Sequence, residues 1–114
     1  MRTADVIAVG SELLGWNRTD SNSLYIAQRL AEIGVDVRVK TIVGDERDDL
    51  ASVFLQALAR VDVVVLTGGL GPTDDDLTRD VVADVLGLAM SIDETIVANA
   101  RRVAARRARM ILIP

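Results

Sequence analysis

The sequence predicts an α/β fold, a three-layer α/β/α sandwich around an open and mostly parallel sheet. Two observations lead there. Apolar spacing switches between strand-like and helix-like periods in the order strand, helix, strand, helix, strand, helix, the pattern of right-handed crossovers on a parallel sheet. The run VDVVVLTGG at 61–69 is continuously apolar rather than alternating, as expected of a central strand covered on both faces. A chain of 114 residues suits one domain or part of one.

The elements follow in order. ADVIAVG (4–10) reads as a short buried strand ending at a glycine. In DSNSLYIAQRLAEIG (20–34) the period becomes helical, with Ile26, Ala27, Leu30 and Ile33 on one face and Gly34 placed to end the helix. VDVRVKTIVG (35–44) alternates, with one more polar face, and suits a strand near a sheet edge. DERDDLASVFLQALAR (45–60) opens with an acidic first turn and repeats Leu50, Phe54 and Leu58 at helical spacing, with Asp45 a candidate N-cap. After the central strand, TRDVVADVLG (78–87) predicts a shorter helix stopping at Gly87. Ser91 and Glu94 have capping-box spacing and open a further helix to about residue 108, and MILIP (110–114) has strand character but is too short to place. The sheet therefore looks unfinished, with the chain stopping where another strand would start.

Composition narrows the chemistry. Cysteine and histidine are both absent, which removes disulfides, thiol nucleophiles, the usual structural zinc and imidazole bases. Any metal would be held by oxygen, and any general base would be a carboxylate, a lysine or an ordered water. The net charge of -4 argues against a nucleic-acid partner. ARRVAARRAR (100–109) holds five of the thirteen basic residues, but at helical spacing Arg102, Arg106 and Arg109 fall together opposite Ile96, Ala100, Val103 and Ala104, as on a solvated amphipathic helix or a protein contact. No apolar stretch approaches a membrane span and no signal-like segment opens the chain, so a cytoplasmic protein without a membrane partner is expected.

The candidate site lies where VVVLT runs into GGLGPTDDDLT. Ligands of open α/β sheets bind outside the carboxyl ends of the strands. Gly68, Gly69 and Gly71 permit left-handed dihedrals and close approach, Pro72 stiffens the turn, and backbone N–H groups there suit a phosphate. The arrangement is neither GxxxxGK[ST] nor GxGxxG. Asp74, Asp75 and Asp76 would repel phosphate unless a divalent cation offsets them, although an aspartate run before a helix also suits the helix dipole alone. Parallel connectivity brings two more loops to the same edge: GSELLGWNRTDSN (10–22), with Ser11, Glu12, Asn17, Asp20 and Asn22, and GDERDD (44–49), with Asp45. The convergence of Glu12, Asp45 and Asp76 is the main physical argument for a site. Each has an alternative: Asp45 as an N-cap, Glu12 serving amides of its own loop, Asn22 capping or bracing the first helix. Trp16 suits either stacking on a base or packing on its neighbours, and Lys40 a solvated strand position.

VGSELLGWNRTDSNSLYIAQRLAEIG, TIVGD and LTGGLGPTDDDLTRD resemble the amino-terminal domain of the competence-damage-inducible protein A family, within the wider molybdopterin-binding superfamily. The resemblance covers nearly all of residues 4–90 and implies a three-layer α/β sandwich over 1–114. In this family Ser11 stands where threonine is usual, and Gly15–Trp16 where Leu-Gly is common. The resemblance also implies a later asparagine-proline turn and a PG-rich loop that this chain lacks, so a domain incomplete at its carboxyl end is expected. It implies that Gly68, Gly69, Gly71 and Asp76 bind the pyrophosphate region of a pterin or nucleotide, with Asp45 as second carboxylate. Pro72, Thr73, Thr78, Ser11 and Asn22 join the implied ligand set. The implied activity is divalent-metal-dependent hydrolysis of ADP-ribose to AMP and ribose 5-phosphate. Asp45 and Asp76 would hold Mg²⁺, Mn²⁺ or Co²⁺, and Glu12 or Asp75 would orient water. The alternatives are a non-catalytic molybdopterin or nucleotide binder and a molybdopterin adenylyltransferase. Self-association is the family habit, so a homo-oligomer is expected. Nicotinamide mononucleotide deamidation belongs to a separate domain of the family and is not expected here.

Overall fold

The computed structural model describes residues 2–16, 20–68, 77–91 and 109–113. Seven elements alternate: β1 (Arg2–Val9), α1 (Ser21–Glu32), β2 (Val35–Val43), α2 (Arg47–Arg60), β3 (Val63–Thr67), α3 (Leu77–Ser91) and β4 (Arg109–Ile113), with a 3₁₀ turn at Ser11–Leu14. The strands form one parallel sheet in the order β2-β1-β3-β4. The fold class read from the sequence is thus the one observed, and the carboxyl-terminal apolar run is a fourth strand beside β3.

Two apolar layers cover the sheet. On one face α2 and α3 bury Leu50, Phe54, Leu58, Val81 and Val82 against Ile7, Val9, Val64 and Leu66. On the other, Ile26 and Leu30 of α1 pack over Ala4, Val6, Val63 and Val65. Every residue of β3 is buried, which is why its apolar run does not alternate. β2 is mostly exposed, as an edge strand should be. Its register against β1 slips by one residue, Ala4 facing Val37 but Asp5 facing Val39. This bulge reverses which side chains face which layer, so Val37 packs under α1 while Val43 enters the α2 layer.

Several boundaries differ from expectation for identifiable reasons. α1 ends at Glu32, and Gly34, at φ 81°, donates its N–H to the Ala31 carbonyl at 3.1 Å, the left-handed ending that the glycine predicts. Ile33 falls just past the last turn and is 74% exposed rather than in the core. The N-cap of α1 is Asp20, whose Oδ1 accepts from the Ser23 N–H at 3.1 Å, so Asn22 is a first-turn residue and not the cap. The N-cap of α2 is Glu46 and not Asp45, whose carboxylate is turned toward another loop. α3 runs through Gly87 to Ser91, so Ser91 closes a helix instead of opening one. The helix expected beyond it, at 92–108, lies outside the described residues. Val61 caps the end of α2, which shortens the third strand from its expected start.

Candidate functional site

The sheet order makes a crevice at one place. β1 feeds α1 on one face, whereas β3 feeds α3 on the other, so the chain leaves these two adjacent strands in opposite directions. This is the topological switch point at which open α/β sheets bind ligands. A cleft of about 180 Å³ lies there, lined by Val9 and Leu13, by Glu12, by Asp20, Ser21 and Asn22 at the start of α1, and by Thr67 and Gly68 at the end of β3.

Gly68 fits as only glycine can. Its φ is 87°, and a Cβ on it would stand 2.2 Å from the Val9 carbonyl oxygen. The glycine-rich segment therefore begins pressed against the end of β1. Thr78, fully buried in the first turn of α3, donates from Oγ1 to the Gly68 carbonyl at 2.9 Å, tying the far side of that segment to its start.

The wall opposite comes from the loop after β1. Gly10 N–H donates to the Val43 carbonyl at 2.9 Å, and the Glu12 carboxylate folds back over Gly10, Oε1 lying 2.5 Å from where a Cβ would be. Ser11 and Asp45 exchange two hydrogen bonds: Asp45 Oδ2 accepts from the Ser11 N–H at 3.2 Å, and Ser11 Oγ accepts from the Asp45 N–H at 2.9 Å. Of the sequence-predicted residues, Glu12, Asn22 and Gly68 thus meet in the cleft. Ser11 and Asp45 meet each other just outside its lining, and Thr78 sits behind Gly68. Gly69, Gly71, Pro72, Thr73, Asp74, Asp75 and Asp76 lie outside the described residues.

Among the described residues lining the cleft are two carboxylates, Glu12 and Asp20, and no basic residue. Among the described residues a positive contribution comes from the N-terminus of α1, where the Ser21 and Asn22 amides have no partner within the helix. Among the described residues no three acidic, histidine or cysteine side chains cluster as a metal set. Asp20 is expected from the sequence among the polar residues of the loop at this edge, though not in the ligand set, and it lines the cleft. Its signal was local: an aspartate three residues before Ser23, at the mouth of an apolar-periodic segment, both caps and faces outward.

Residues 5–111 match the profile of a family described as a probable molybdopterin binding domain. A CinA-like protein of Koribacter versatilis is 54% identical over 108 residues, which take in 94% of this chain and 26% of that protein. The chain therefore spans about a quarter of the length of the curated relatives it matches. The crystal structure of CinA from Thermoplasma acidophilum is 34% identical with a TM-score of 0.68, over 78% of this chain and 59% of that one. The molybdopterin biosynthesis enzyme MoaB from Thermus thermophilus shares the fold at 24% identity, with a TM-score of 0.68 over 83% of this chain and 67% of its own. Among the described residues no helix is long and apolar enough to cross a membrane.

Proposed function

We propose, on the premise that this chain belongs to the probable molybdopterin binding domain family, that it binds the phosphorylated part of a pterin or nucleotide at the carboxyl ends of β1 and β3. The observation that carries this reading is the cleft at the switch point, with Gly68 pressed on Val9 and the N-terminus of α1 at its other side. Between its described walls it has about 180 Å³, room for the phosphate-bearing part of such a ligand. Backbone N–H groups at the helix start favour an anion there.

Glu12 and Asp20 oppose an anion unless a cation accompanies it. Their hard oxygen atoms, with the Asn22 amide oxygen, suit Mg²⁺ or Mn²⁺ held together with phosphate, and Co²⁺ is also compatible with an oxygen set. Those same carboxylates favour a second reading, metal-dependent cleavage of ADP-ribose. Water would add at phosphorus and the pyrophosphate P–O bond would break, giving AMP and ribose 5-phosphate. The cation would supply neutralisation of developing charge, with Glu12 orienting the water and Asp76 as the expected partner carboxylate from the glycine segment.

Calorimetric titration with ADP-ribose, AMP and molybdopterin, beside an assay of AMP release with and without Mg²⁺, Mn²⁺ or Co²⁺, separates the readings. Saturable binding without turnover supports the binder. Metal-dependent AMP release that is lost in Asp76→Asn supports the hydrolase. No binding and no turnover with any of these would overturn both.

A further inference from the structure

We propose that Asp45 is a positioning residue that acts through Ser11 to hold Glu12 at the cleft, and that Glu12 is the carboxylate meeting the ligand or its cation. The proposal rests on the reading of the cleft as a phosphate-ligand site.

The two bonds between Ser11 and Asp45 join residues 34 apart in sequence. Each residue offers its backbone N–H to the other's side chain, the same reciprocity by which a capping box fixes the entry of a helix. The junction is reinforced on both sides. Gly10 N–H to the Val43 carbonyl extends the β1–β2 ladder beyond its last pair, Val9 with Val43. Leu14 Cδ1 and Ser11 Oγ each lie 3.2 Å from where a Cβ on Gly44 would stand, so the 3₁₀ turn rests directly on the exit from β2. Glu12 is inside that turn and lines the cleft, whereas Ser11 and Asp45 do not.

Both bonds are exposed to solvent, so they contribute little to global stability. What they determine is the orientation of a short turn that has no buried residue of its own. A carboxylate engaged by a neighbouring loop's N–H, and set off from the cleft wall, is arranged to orient that loop. The role needs an acceptor oxygen at position 45 and not a negative charge.

The test compares the full chain with Asp45→Asn, Asp45→Ala and Glu12→Gln, by amide hydrogen exchange without ligand and by titration with ADP-ribose in Mg²⁺. Asparagine keeps the acceptor and removes the charge. Asp45→Asn is expected to leave Ser11 amide exchange and ADP-ribose affinity within about twofold of the parent, and Asp45→Ala to speed that exchange and weaken affinity about five- to tenfold. Glu12→Gln is expected to weaken affinity at least as much while leaving Ser11 exchange unchanged. Affinity lost as fully in Asp45→Asn as in Asp45→Ala would assign Asp45's charge to the ligand and overturn the proposal. Unchanged Ser11 exchange in Asp45→Ala would overturn it as well. Absence of ADP-ribose binding by the parent chain counts against the binding reading alone, and the exchange result then decides the positioning role.

Discussion

Arg60, in the last turn of α2, closes its guanidinium over Asp5 in β1, with Nε donating to Asp5 Oδ2 at 3.1 Å. Asp5 is 2% exposed and its Oδ1 has no hydrogen-bond partner, while Arg60 is about half exposed. The aspartate faces the α2 layer because it alternates with Ala4 and Val6, which face α1. Removing the arginine leaves a buried carboxylate without its counter-ion. Arg60→Ala is expected to cost about 2 to 4 kcal/mol in urea unfolding. Combined with Asp5→Val, the loss should largely disappear, because the valine needs no partner. A double variant as unstable as Arg60→Ala would show that the arginine acts through its packing instead.

Gly68 and Gly34 have nearly the same φ, 87° and 81°, in different surroundings. A Cβ on Gly34 would meet nothing within 4 Å, whereas on Gly68 it would stand 2.2 Å from a backbone oxygen. Gly34→Ala should cost about 1 kcal/mol, the left-handed penalty alone. Gly68→Ala should cost about 3 kcal/mol or more, since β1 and β3 must separate at the cleft to admit the methyl. Equal losses in the two variants would mean that Val9 gives way easily.

Thr78 Oγ1 is the described partner of the Gly68 carbonyl. Valine has nearly the same volume but no hydroxyl. Thr78→Val is expected to destabilise by about 1 to 2 kcal/mol, more than Thr78→Ser, which keeps the donor and loses only a methyl. Thermal unfolding of the pair measures the order, and a serine variant less stable than the valine one would make packing the larger part of Thr78's role.

Asp62 links the start of β3 to β1. Its Oδ2 accepts from the Thr3 N–H at 2.9 Å, and the Thr3 hydroxyl lies 3.2 Å from the same oxygen. The Thr3 backbone hydrogen bond, aided by that hydroxyl and by the charge of Arg2, holds the Asp62 carboxyl below its ordinary 3.8 against the opposing effect of desolvation. A depressed folded pKa gives stability that is fully present above the unfolded value and is lost as pH falls through the folded one. Melting temperatures of the parent chain and Asp62→Ala should therefore differ by a constant amount above about pH 5 and converge below about pH 4. A gap that persists to about pH 2 would show that the ionised carboxylate is not the stabilising form.

Local rules account for much of the architecture. Leu50, Phe54 and Leu58 recur at helical spacing and all three are buried; the unbroken VVVLT run is the fully buried strand; Gly34 ends its helix in the left-handed region. Helical period, strand burial and glycine's freedom act over a few residues, so they are readable along the chain. The same locality explains the misreadings. Nothing near Gly87 states that α3 continues, and nothing near Asp45 shows that a serine from another loop takes up its carboxylate.

The amino-acid order alone therefore indicated the alternation of strands and helices, the edge at which their loops gather, and the approach of Glu12, Asn22 and Gly68 to one another there, where they line a common cleft. Folding in three dimensions set the rest: β1 placed between β2 and β3, the slip opposite Asp5 that turns Val43 toward α2, the burial of Asp5 under Arg60, and the Ser11–Asp45 exchange. These depend on hydrogen bonds and packing between residues tens of positions apart, and strand register, unlike period, leaves no local trace in a chain.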